Sequence, residues 1–156
     1  MTDTPKRMRS TAWAAVALAL TTPIAIWGLL GQQDSPGFTP GELDYMVRPW
    51  NIPPVAEHAA TIGAAVLLVL AAAHLIRAAM RGLVDVRWLT VLGPLLAAGT
   101  ASALLQRAMT AGGIGANIGG AIAEYALIPF IGLMLVVAAA FSLYMWNVAG
   151  NARRPL

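Results

Sequence analysis

Residues 125–149 read YALIPFIGLMLVVAAAFSLYMWNVA, 25 positions without a charge. As a helix, a run of this length crosses the roughly 30 Å hydrocarbon core of a bilayer, which takes about 17–25 residues. Its apolar residues cover every face, so an amphipathic surface helix is excluded. Three more runs repeat the pattern: 11–31, 59–76 and 88–106. The expected fold is therefore all-α, a polytopic membrane protein of one domain over residues 1–156, with four transmembrane helices in a compact bundle.

Composition agrees. Of the 156 residues 58% are hydrophobic and 11% charged, with a mean hydropathy of +0.69. Soluble domains carry about 25% charge, and a water-facing surface cannot be built from so little. With no cysteine, a disulfide, a thiolate metal site and a cysteine nucleophile are all excluded. The pI near 10.0 raises the question of nucleic acid. The basic residues, however, flank apolar runs instead of clustering on a soluble face, so no nucleic-acid partner is expected.

Their positions give the topology. Lys6, Arg7, Arg9, Arg77, Arg81, Arg87, Arg153 and Arg154 fall on one side, with Asp3 and Asp85. Arg48 and Arg107 fall on the other, with Asp34, Glu42, Asp44, Glu57 and Glu124. The positive side marks the cytoplasm, so both termini are expected there, in the inner membrane of a bacterium. Residues 32–58 and the Gly-rich stretch 107–124 then form outer loops, and 77–87 a cytoplasmic turn. A cleaved signal peptide is the rival reading of the first run. That run is longer than the usual apolar core of about 7–15 residues, and Trp27 stands near its outer end.

Small residues four apart mark expected helix contacts: Ala59 with Gly63, Ala60 with Ala64, Ala98 with Ser102, Gly99 with Ala103, and Gly132 with Val136 and Ala140. Pro23, Pro94 and Pro129 interrupt three spans and are candidate hinges of a transporter or static bends, with Thr21 and Thr22 placed to satisfy freed carbonyls. In the first outer loop, Thr39-Pro40-Gly41-Glu42 fits a capping box. A short helix on the outer surface is expected to follow it until Pro49, acting as a lid or as an ordered connector.

Candidate chemistry gathers at the outer ends of the spans. Glu57, His58, Arg107, Glu124 and Tyr125 form a candidate polar cup, in which a carboxylate-histidine pair handles a proton and arginine holds an anion or quinone oxygen. Interfacial salt bridging is the plainer reading of the same residues. His58 and His74 are the two histidines, 16 residues apart on one span, or about 24 Å, too far to ligate one haem within a monomer. The Gly112–Gly120 run lacks the third glycine of the dinucleotide fingerprint, and helical extension, re-entrant turn and loop remain open for it. No metal-ligand spacing is evident, and no cofactor is expected. No charge falls in the middle third of a span, which argues against an ion-coupled carrier and against an enzyme at bilayer depth. The leading expectation is a structural, accessory or assembly subunit of a membrane complex, with other membrane subunits or a homo-oligomer as partners. A small-solute permease and a quinone- or haem-associated electron-transfer subunit are the alternatives.

Overall fold

The computed structural model describes residues 4–39, 41–84 and 86–151. Asp3, Pro40, Asp85, Arg153 and Arg154, each used above, lie outside them. Four long helices form: α1 (Thr4–Leu30), α2 (Pro54–Met80), α3 (Leu89–Met109) and α4 (Ala116–Asn151), with a 3-10 turn at Val86–Trp88 leading into α3. Three are long and apolar enough to cross a membrane, over Ser10–Leu30, Pro54–Met80 and Ala116–Val148. The third expected span also folds as a helix in place, α3, and is not among those three over its described residues. It carries Gly93, Pro94, Thr100 and Ser102 inside and Gln106 and Arg107 in its last turns.

The helices alternate in direction, so the ends of α1 and α3 meet the beginnings of α2 and α4. Extensive packing joins α2 to α1, α1 to α3 and α3 to α4. The order α2–α1–α3–α4 is thus a row with α1 and α3 inside. Burial follows from it: Ala98, Ala101 and Ala103 of α3 are buried, and Leu18 of α1 packs with Ala71 and Leu75 of α2.

Small residues set the distances, though not always the expected ones. A Cβ on Gly28 would lie 1.8 Å from Thr61 Oγ1, so the α1–α2 crossing closes over a bare backbone. Gly99 meets the ring of Pro23, whose Cδ would stand 3.2 Å from an added Cβ, at the α1–α3 crossing. Gly63 and Gly132 face open space, and Val136 and Ala140 are exposed with Gly132. Those two stripes therefore do not serve contacts within the chain. The three prolines lie inside continuous helices. Thr21 and Thr22 donate to the carbonyls of Ala17 (2.8 Å) and Leu18 (2.7 Å), not to that of Ala19, the one Pro23 leaves without its amide partner.

Two loop expectations change. Residues 41–47 form turns and bends instead of a surface helix. The capping-box carboxylate does reach back, accepting from Thr39 N at 2.8 Å, and the Glu42 amide closes a turn onto Thr39 O at 2.9 Å. The following amides and carbonyls then find partners across space. Val47 N donates to Met109 O (2.9 Å), and Asp44 O accepts from Gly113 N (3.2 Å). Backbone committed to a neighbouring loop is withdrawn from i→i−4 bonding. Thr39 holds the Glu42 carboxyl below the ordinary carboxylate range, chiefly through its backbone N–H and then through its hydroxyl. The second outer connection is also shorter than expected. α4 starts at Ala116, after Gly115 at φ +75°, so much of the Gly-rich run is helical extension.

The Gly28 contact yields a paired test. Gly28→Ala is expected to lower stability by about 1–3 kcal/mol through overpacking, with Thr61→Gly in the same chain relieving it. Gly63→Ala, pointing into open space, is expected to cause no loss. Thermal unfolding in a single detergent measures all three.

Candidate functional site: a buried arginine at the loop end

Where the two outer loops meet, the chain builds a small parallel bridge between Asp34 and Gly112. Ser35 N donates to Gly112 O (2.8 Å), and Gly112 N donates to Gln33 O (3.1 Å) and Asp34 Oδ1 (3.0 Å). An added Cβ at Gly112 would fall 2.6 Å from the Tyr45 ring and 2.7 Å from Asp34 Oδ1, so only glycine allows this approach. Burial, and then the Asp34 carboxylate beside it, raise the Tyr45 hydroxyl above its ordinary value.

Beneath the bridge lies Arg107, in the last turn of α3 and only 4% exposed. Each of its three guanidinium nitrogens is engaged. Nε donates to Trp27 O (2.8 Å), Nη1 donates to Gln32 Oε1 (3.1 Å), and Nη2 pairs with Glu57 Oε1. The Trp27 ring stacks against it, 4.1 Å from the guanidinium carbon to the ring centre, in cation–π range. Gln32 itself donates to Thr110 O (2.5 Å) and Asp34 Oδ1 (2.9 Å), which ties the arginine to the bridge above. One side chain of α3 thereby grips α1, the residue two beyond α1, and α2. The fork of five donors on arginine makes this geometry possible; lysine has no equivalent.

Of the five cup residues named from sequence, the structure joins Arg107 and Glu57. His58 faces away, exposed, with Nδ1 2.6 Å from Pro54 O. Tyr125 is 84% exposed, and Glu124 makes no ion pair with Arg107. Both histidines lie on α2 and both are exposed. Trp27 and Gln32 were not among the cup residues expected from sequence. The signal that points to them is position: both stand within a few residues of the outer end of the first span, where any partner for Arg107 must lie.

Beside the arginine is a cavity of about 200 Å³ lined by Trp27, Gln32, Trp50, Glu57, Gln106 and Arg107, among others. Gln106 is one of its lining residues, and its side-chain oxygen Oε1 is buried without a hydrogen-bond partner among the described residues. A buried orphan acceptor costs about 1–3 kcal/mol, and a donor placed in the cavity would recover it. Among the described residues no group of three or more histidines and carboxylates is placed to hold a metal ion.

Removing one member of the buried pair leaves the other uncompensated. Arg107→Leu and Glu57→Leu are each expected to destabilise by about 3–5 kcal/mol, toward the lower end because the Glu57 side chain keeps 24% exposure, and the double variant to recover part of the loss. Denaturation of the four proteins in one detergent gives the coupling. Compared with protein-family profiles, curated proteins and solved structures, the chain matches none.

Proposed function

We propose that the protein is an accessory or assembly subunit of a membrane complex, a four-span bundle in a bacterial inner membrane with both termini in the cytoplasm, and that α4 meets the partner. The observation that carries this reading is the exposure of α4: 6% of its most apolar stretch is buried in the fold, against 17% for α2 at the other end of the row. α4 is the longest helix, 36 residues, and α3 is its principal neighbour in the row. Its first turns bear a ridge of exposed Ile118, Ile122 and Tyr125, and further along the Gly132, Val136 and Ala140 stripe is exposed as well. Small residues let a second helix approach closely in lipid, where apolar surface alone gives no driving force. The engagement of every guanidinium nitrogen of Arg107 by protein groups also favours a structural role for the outer end over a substrate site.

Because the chain has no cysteine, one introduced thiol reports one position. A cysteine replacing Gly132 is expected to cross-link in native membranes to a partner subunit or to a second copy, while one replacing Val66 on α2 does not. Equal cross-linking at both positions, or none at Gly132, would sink the assignment of α4. In the same scheme, a cysteine at Gly37 reacts with an impermeant maleimide in spheroplasts and one at Gly82 does so only after lysis.

A second reading, a quinone carrier held in its reduced quinol form in the outer cavity, is favoured by the unpartnered Gln106 oxygen, to which a quinol hydroxyl would donate. Solvent extraction of the purified protein should then yield stoichiometric quinone, lost in Gln106→Leu. Protein free of quinone, or quinone retained by that variant, removes this reading.

A further inference from the structure

At the opposite end of the helices from Arg107, α1, α2 and α3 do not close on one another. They leave a groove of about 610 Å³, well inside the roughly 300–1,000 Å³ of small-molecule sites. Its floor on α1 is made by Ala12, Ala15 and Ala19, three small residues on one helical face. Larger side chains at these positions would fill the space. Leu75 of α2 and Val91 and Leu95 of α3 supply the walls, and Trp88 stands where α3 begins. Thr11 is the one residue with a polar side chain, apart from the Trp88 indole, in this otherwise aliphatic lining. Along α1 the groove runs from Thr11 to Ala19, about 12 Å at 1.5 Å per residue, within the apolar span Ser10–Leu30.

The surroundings of the groove say what fills it. Leu83 and Val84 bring the α2–α3 connection onto its wall, and that connection is the basic end of the molecule. Arg77 lies in the last turn of α2, Arg81 caps the helix, and both are exposed. An aliphatic slot along an apolar span, whose wall at Leu83 leads back within two residues to the exposed Arg81, is complementary to a ligand with a hydrocarbon tail and an anionic head. We propose that this groove binds an anionic phospholipid, with one acyl chain along Ala12, Ala15 and Ala19 and the phosphate at Arg77 and Arg81. The site is independent of the partner reading for α4, since it lies on other helices.

Native mass spectrometry of the full chain in a mild detergent tests it, with phosphatidylglycerol and phosphatidylcholine of identical acyl chains as the probes. Phosphatidylglycerol is expected to be retained one per chain and preferred. Arg77→Gln and Arg81→Gln should each weaken it about fivefold, while leaving phosphatidylcholine unchanged. Ala19→Phe, which fills the slot, should remove phosphatidylglycerol binding; should that variant fail to fold, the arginine variants still decide, because both change exposed side chains. Glycerol phosphate should not displace the lipid. Equal retention of the two lipids, insensitivity to both arginine variants, or displacement by glycerol phosphate would overturn the proposal.

Discussion

A permanently charged guanidinium sits 4% exposed near the end of an apolar helix row, and much of the loop-end architecture answers to it. Arginine cannot shed its proton to escape desolvation, so its charge must be met by neighbours. Glu57 of α2 supplies the counter-charge, Trp27 of α1 supplies a carbonyl and a ring face, and Gln32 supplies an amide oxygen. These demands bring three helices to one point. Gln32, held by Arg107 and bonded to Thr110 O, then delivers the first loop to the second, where Asp34 and Gly112 pair.

Elsewhere the row depends on how closely backbones approach. Gly28 under Thr61 and Gly99 under Pro23 set the two crossings of α1. Pro23 is thus wedged in an interface, an environment that favours a fixed bend over a moving hinge. The same order leaves α4 with one principal neighbour and opens the alanine-floored groove at the basic end.

The helices were legible because length and uniform apolarity suffice to specify a helix in an apolar surrounding. Their ends were less so. The Gly-rich run reads as a loop by composition, yet α4 begins at Ala116, since a helix is the means by which its backbone satisfies itself once Gly115 has turned the chain. Thr39-Pro40-Gly41-Glu42 carries a helix-start pattern, and its local bond forms. No helix follows, because Asp44 and Val47 bond to residues more than sixty positions away, which no local pattern records. Small-residue spacing was the least informative signal. In an alanine-rich chain it marks Gly63, which faces open space, as readily as Gly99, which does not. At the outer end, charge put Arg107, Glu57 and Glu124 in one candidate cup, but it could not separate Glu57 from Glu124 or foresee a tryptophan carbonyl as a partner.

Amide hydrogen exchange tests the central claim, that Arg107 and the loop bridge form one structural unit. In detergent micelles Ser35, Val47, Gly112 and Gly113 should be protected although they lie outside the helices, since each donates across space to a distant carbonyl. Replacing Arg107 by Leu should release all four together while amides in the middle of α2 and α4 stay protected. Loop amides that exchange freely in the native protein, or that keep their protection without Arg107, would contradict the account.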